Sequence, residues 1–253
     1  MPLGLGAQMG KGGIVKSIPS HVTSNLKMLH RYNTGSVVPV SDGAAYFDVS
    51  ENDYIEIGTT ATLRAANFSA GGWFYFNADS VGDSTAMLTS KPASSTYKGF
   101  QILKNSINNF EYRLGTGSNH SMSGSAVSTN KWYHILVTYD GTTYKAYEDG
   151  VLAQSDAQGT HVVSDDTFNI GRYYSGSSTL GAQGYICNVG YWSSALTQAQ
   201  IKSIMWKNYA GLIDSEKTNL VSWWNLDVET ATDGTAGSGG VKDSHGSNHG
   251  DLE

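Results

Sequence analysis

This sequence is short of most residues that would assign it to a specialised class. It has one cysteine, Cys187, so no disulfide can form within the chain and a disulfide scaffold is excluded. It has only 4 prolines beside 30 glycines in 253 residues, so the glycine excess over a usual ~7% belongs to no collagenous or proline-rich composition. Charged residues make up only 15%, and the net charge of −6 excludes a basic nucleic-acid binder. No apolar run approaches the roughly 18 residues that span a bilayer, so no membrane insertion is expected. Acid is missing from one region altogether. Residues 1–41 hold Lys11, Lys16, Lys27 and Arg31 and no Asp or Glu, which leaves a −10 body behind a +4 arm.

What is present is glycine, serine, threonine and tyrosine, with aromatics at 11%, too many for a disordered chain. From Ala44 onward, runs of β-branched and aromatic residues alternate with turn residues. Strands are predicted near 44–49, 53–57, 69–76, 85–90, 99–103, 110–114, 132–139, 144–148, 151–154, 167–170 and 184–192. Asp140-Gly141 and Asp149-Gly150 supply positive φ at little cost, and Asp149-Gly150 marks a hairpin. Both faces of Trp132–Tyr139 are largely apolar, as in a strand inside a sandwich.

One helix is signalled. Thr197 with Gln200 fits an N-cap and its partner three residues on, Ile201, Ile204, Met205 and Tyr209 follow at helical spacing, and Gly211 is the expected stop. Residues 219–227 form a further strand. They lead through a small-residue loop at 230–240 to the polar tail Asp243-Ser-His245-Gly-Ser-Asn-His249-Gly-Asp251. In the strand Trp223-Trp224, one ring should face the core and the other outward or an interface. Cys187 reads as a small buried hydrophobe. The N-terminus lacks an apolar core of signal length, so assembly in a cytoplasm is expected.

Several segments, taken in order, resemble the laminin-G-like branch of the concanavalin A-like lectin/glucanase superfamily. They are Ala45-Tyr-Phe-Asp48 with Asp53-Tyr-Ile-Glu-Ile57, Phe68-Ser-Ala-Gly-Gly-Trp-Phe74, Lys131-Trp-Tyr-His-Ile-Leu-Val-Thr-Tyr-Asp-Gly141, Tyr147-Glu-Asp-Gly150, Phe168-Asn-Ile-Gly171 and Trp192 to Ile201. The resemblance covers roughly 44–210 and implies an all-β antiparallel sandwich, a jelly roll with one short helix. Leu220–Asp227 with Asp243–Gly250 resembles the segment that usually begins such a domain, yet here it comes last. The glycine-rich start running into Val40-Ser-Asp-Gly-Ala-Ala-Tyr-Phe-Asp48 resembles virion proteins of tailed bacteriophages that carry laminin-G-like domains.

Four constellations bear on chemistry. Glu51-Asn-Asp53-Tyr-Ile-Glu56 matches the Glu-x-Asp-x-x-Glu of the superfamily's laminarinase-type hydrolases, whose retaining mechanism needs two carboxyls about 5–5.5 Å apart. Asn52 stands where those enzymes have an apolar residue, and Ser50-Glu51-Asn52 also reads as a turn, so no catalytic residue is assigned. The resemblance also implies a calcium ion at a sandwich rim, for which Asp48, Asp53, Asp140 and Asp149 are candidate ligands that fit turn positions equally. His245 and His249, four apart among glycines, read as a polar loop and not as a zinc site. Finally, Tyr173 and Tyr174, ahead of Ser175-Gly-Ser-Ser178, fall on an expected loop where exposed rings would stack on sugar C–H faces.

The organisation expected is a basic arm at 1–43, a laminin-G-like sandwich at 44–212, and a strand and polar tail at 213–253 that completes this sandwich or a neighbour's. The function expected is a non-enzymatic virion component, a capsid decoration protein or a tail or fibre adhesin. The arm (Lys11, Lys16, Lys27, Arg31) would anchor it to other virion proteins, and the lectin-like body would meet a host-surface glycan. A homo-oligomer, with a trimer favoured, is the expected assembly. The alternatives are a free carbohydrate-binding lectin and a laminarinase-type glycoside hydrolase.

Overall fold

A computed structural model describes residues 43–77, 84–90, 97–174, 179–227 and 240–253, with Tyr174 and Thr179 described by their backbone alone. The chain divides into units 1–32 and 33–253, and everything described belongs to the second. Lys11, Lys16, Lys27 and Arg31 lie outside the described residues.

Two seven-stranded antiparallel sheets form a sandwich. The first runs β1 (Ala45–Phe47), β14 (Gly184–Trp192), β3 (Phe68–Phe76), β8 (Lys131–Tyr139), β9 (Thr143–Glu148) and β10 (Val151–Ala157), with β15 (Leu220–Trp224) also on β14. The second runs β16 (Asp251–Leu252), β2 (Ile55–Gly58), β11 (Phe168–Ile170), β4 (Thr85–Thr89), β5 (Phe100–Lys104), β6 (Asn109–Gly115) and β7 (Asn119–Ala126). A separate hairpin joins β12 (Arg172–Tyr174) to β13 (Thr179–Gly181).

Alternation along each strand explains the layers, because successive side chains point to opposite faces. From β3, Phe68, Ala70, Phe74 and Phe76 enter the core; from β8, so do Tyr133, Ile135, Val137 and Tyr139. They meet Phe100, Ile102, Phe110, Tyr112 and Leu114 of the second sheet. Each such ring or branched side chain taken out of water contributes roughly 1.5–3 kcal/mol. The cysteine behaves as its surroundings suggested: Cys187 is fully buried beside this core.

The helix α1 (Gln198–Ile204) starts where the sequence signals it. The Thr197 side chain accepts from the Gln200 amide, and the Gln200 side chain accepts from the Thr197 amide. It ends sooner than Gly211, because Met205 is its C-cap; the indole of Trp73 donates to the Met205 carbonyl at 2.6 Å. Gly211 closes a separate 3-10 turn at Tyr209–Gly211. Ile201 and Ile204 pack on the outer face of the first sheet with Leu136, Tyr147, Trp192, Leu220 and Trp223. The two tryptophans of β15 therefore face opposite ways, and both are covered. Trp224 stacks on Phe168 in the core at 5.7 Å, and Trp223 lies edge-on to Trp192 under the helix at 5.9 Å.

The late segment completes this chain's own sheets. β15 pairs with Val189–Trp192 of β14, and β1 continues along the same flank at Gly184–Ile186 in the same direction. A Cβ on Gly43 would lie 2.7 Å from the Asp227 carbonyl oxygen, so the end of β15 abuts the approach to β1. Residues 220–227 followed by 43–47 thus trace one strand broken in sequence, the arrangement of a circular permutation. The tail is pinned by Asp243, whose carboxylate accepts from the backbone N–H groups of Trp223, His245, Gly246 and Asn248 at 2.9–3.1 Å. The Asn248 side-chain amide donates to Ser222 at 2.7 Å, and β16 then adds to the edge of β2.

Candidate functional site

Among the described residues, the outer face of the first sheet is covered by α1 at one end. At the other end four aromatic side chains stand in one row of the ladder. The register pairs Tyr46 with Tyr185, Tyr185 with Tyr75, and Tyr75 with Trp132, on the adjacent strands β1, β14, β3 and β8. Their inward neighbours Phe47, Ile186, Phe74, Phe76 and Tyr133 belong to the core, so alternation sends these four outward. Tyr46 is 46% exposed and Tyr185 39%, while Tyr75 and Trp132 are half-buried.

Contact between the rings fixes the row. Centroids lie 5.0 Å apart for Tyr46 and Tyr185, 5.7 Å for Tyr185 and Tyr75, and 5.5 Å for Tyr75 and Trp132. The planes are tilted to one another by 52°, 72° and 55° in that order. These distances fall in the range where edge and tilted pairs attract. Polar groups hold two of the rings. The Gln183 side-chain amide donates to the Tyr46 hydroxyl at 3.2 Å and accepts from the Val49 N–H at 3.0 Å. The Tyr75 hydroxyl donates to Asn130 at 3.3 Å. The Lys131 ammonium lies 4.3 Å over the Tyr133 ring.

Behind this row stands a second one, Cys187, Trp73 and His134, again paired strand to strand. His134 is buried edge-on to Trp73 at 5.3 Å, and burial holds its imidazole down at about 3. Trp73 also meets Trp206, 40% exposed, at 5.0 Å, so aromatic surface continues toward the helix.

The residues singled out from sequence are placed differently. Tyr173 lies in β12 and not in a loop. Its ring, 8% exposed, packs with Ala86, Leu103 and Leu180 where the β12–β13 hairpin folds onto the second sheet. The side chain of Tyr174 lies outside the described residues. A two-strand hairpin arises here because Arg172–Tyr174 finds an antiparallel partner in Thr179–Gly181, a pairing that the short runs do not announce.

The four aspartates each serve a turn. Asp48 accepts from the Ser50 amide and hydroxyl, which hold its carboxyl below the usual range, and the Asp48 N–H donates to Asp53. Burial works to raise Asp140, but the amides and hydroxyl of Thr142 and Thr143 together with Lys145 keep it at about 2. Asp149, at φ 49°, accepts from the His134 N–H in the hairpin after β9. Asp140 and Asp149 flank opposite ends of β9, roughly 20 Å apart for a strand of this length. Among the described residues no three His, Cys, Asp or Glu side chains converge as a metal would require.

The Glu51–Glu56 spacing does not become one face of a strand. Glu51 is exposed in the turn closed by its own N–H to Asp48 and by Asn52 to Val49, with Asn52 at φ 62°. Only Glu56 lies on β2, opposite Asn169 and Asp251. His249 accepts from the Asp243 N–H, and His245 meets the Tyr209 hydroxyl at 3.2 Å, so both imidazoles belong to the tail's polar packing.

Tyr46, Tyr75, Trp132 and Tyr185 were all legible as strand residues but not as a site. In Phe74-Tyr75-Phe76 every position is aromatic, so the outward ring carries no signal of its own. The available clue was that the outward position near one end of four different strands is aromatic.

A family profile described as the concanavalin A-like lectin/glucanases superfamily matches residues 49–202. Among solved structures, a "putative carbohydrate binding protein" from Bacteroides ovatus ATCC 8483 aligns with a TM-score of 0.64 at 20% identity. The alignment takes in 83% of this chain and 57% of that one, so this chain spans little more than half that protein's length. The CBM40 of Ruminococcus gnavus IT-sialidase, bound to α2,3-sialyllactose, aligns with a TM-score of 0.50 at 12% identity, over 65% of this chain and 99% of that one. At such identities the shared property is the fold. No curated protein matches the sequence.

Proposed function

The chain belongs to the concanavalin A-like lectin/glucanases superfamily, and from that premise we propose that it is a non-catalytic glycan-binding protein carried on a virion. The observation that carries the binding reading is the row Tyr46–Tyr185–Tyr75–Trp132, a set of partly exposed rings on a rigid sheet. Aromatic faces take up the C–H faces of sugars, and hydroxyl and amide groups at the rim take up sugar hydroxyls. Rings already packed on one another lose little rotamer freedom on binding. The fold shared with a carbohydrate-binding module fits the same reading. A non-catalytic role is favoured by the scattering of Glu51 and Glu56 between a turn and a strand.

The virion placement rests on the sequence. An acid-free arm with Lys11, Lys16, Lys27 and Arg31 in front of an acidic body suits attachment to an acidic neighbour, and the run into Ala45-Tyr-Phe-Asp48 resembles phage virion proteins. The body would then present its aromatic row to a surface glycan.

Two experiments test this. A glycan array with the full chain should return binders, and Trp132→Ala with Tyr185→Ala should abolish them without lowering the fraction folded; retained binding would exclude the row. Deleting residues 1–40 should abolish incorporation into particles, and normal incorporation would remove the anchoring role.

A further inference from the structure

We infer that the ligand of the aromatic row is a single, uncharged glycan chain of at least three sugars, bound across the strands along its interior and not by an end. This rests on the reading of the row as a glycan site and specifies what that site accepts.

Length follows from register. The four rings occupy successive strands, and three inter-strand steps of about 4.8 Å give a row about 14 Å long. A monosaccharide would cover one ring pair and leave the others unused. Openness follows from topology. Tyr46 stands on β1, the last strand on its side of β14 at that level. On the other side β9 stops short of Trp132, since the last β8 residue it pairs with is Ile135. Among the described residues no strand closes the row at either end, so a chain can run past both.

Shape follows from the ring planes. Tilts of 52°, 72° and 55° between neighbours mean that no flat surface can lie on all four rings together. A chain whose successive sugars turn relative to one another can meet each ring in its own plane, whereas the flat face of a crystalline polysaccharide cannot. Charge follows from composition. The row consists of three tyrosines and a tryptophan, and its hydrogen-bonding neighbours Gln183 and Asn130 are neutral amides. The nearest ammonium on these strands, Lys131, is engaged over the Tyr133 ring. A carboxylate or sulfate would lose its hydration here and find no cation in the row to replace it.

The test uses the full chain with cello-, laminari- and malto-oligosaccharides of one to six sugars, polygalacturonate, sialyllactose and microcrystalline cellulose, measured by calorimetry and pull-down. In at least one neutral series, affinity should climb with length to three or four sugars and then level. Chains blocked at the reducing end should bind as well as free ones, and the acidic probes and crystalline cellulose should not bind. Tyr185→Ala should weaken binding about tenfold or more, about 1.4 kcal/mol per decade, while Tyr185→Phe, which keeps the ring, should retain it. Best binding of a monosaccharide, of a chain end, of an acidic glycan or of crystalline cellulose would overturn the inference while leaving a glycan site in place. Absence of binding to every probe and to the array, in a protein with an unchanged melting temperature, would overturn both readings. Concentration-dependent self-association lost in Trp132→Ala would reassign the row to a contact between copies.

Discussion

His134 stands on the outer side of β8 among Trp73 and the strands beside it, fully desolvated, and its Nδ1 has no hydrogen-bond partner. His161 is also buried, and burial lowers its pKa despite contact with the Gly115 carbonyl oxygen. In the unfolded chain both take up a proton near pH 6.5, whereas folded His134 resists until about pH 3. Because the unfolded state binds more protons, stability is complete above pH 6.5 and falls as pH drops below it, by up to about 1.4 kcal/mol per pH unit for each histidine. Urea denaturation at pH 7 and pH 5 should register this loss, and His134→Gln should flatten the slope; an unchanged slope would mean that His134 is not held neutral. Gly184 offers a second test at this scale. It lies at φ +138°, and a Cβ there would come within 1.9 Å of the Tyr75 carbonyl oxygen. Gly184→Ala should cost roughly 3 kcal/mol or more and disturb the row through Tyr75; a melting temperature within a degree of wild type would contradict the packing described.

At the scale of elements, features that are local in origin are legible in the sequence. The Thr197–Gln200 capping box, the Asp149-Gly150 hairpin and the long strand over 184–192 depend on neighbours in sequence, and each formed at its expected place. Strand β7 and the β12–β13 hairpin carry no such local signal, because runs such as Asn119-His-Ser-Met-Ser-Gly-Ser-Ala126 have little β propensity and owe their form to an already placed partner. The tail clasp is likewise a tertiary element. Its polar sequence reads as a loose loop, yet one buried carboxylate gathers four backbone N–H groups from two segments. Asp243→Ala leaves those donors without an acceptor and should destabilise the fold by about 3 kcal/mol, with proteolysis of residues 240–253 the sensitive readout. Resistance equal to wild type would show the clasp to be unimportant.

At the scale of the whole molecule, the four turn aspartates decide how the protein should respond to metal. Their oxygens are taken by backbone amides and hydroxyls in three turns, Asp48 and Asp53 sharing one, so removing divalent ions with a chelator should leave the melting temperature unchanged. A fall of several degrees would require a site built from other groups. The meeting of β15 with the approach to β1 also has a global consequence, since the two ends of the sandwich are spliced into one strand position beside β14. That arrangement accounts for a segment which resembles the start of such a domain appearing at its end.

From sequence alone came the antiparallel sandwich, most of its strands, its helix cap and the split between a basic arm and an acidic body. These rest on periodicity, turn chemistry and charge, which act between residues close in the chain. The aromatic row was decided only by the tertiary structure. Tyr46, Tyr75, Trp132 and Tyr185 are brought side by side by the register of four strands, and register is set by how whole faces bury against one another. The same packing buried Tyr173 and dispersed the carboxylates. Which ring meets water and which meets the core is a property of pairing between distant strands, and no local run of residues contains it.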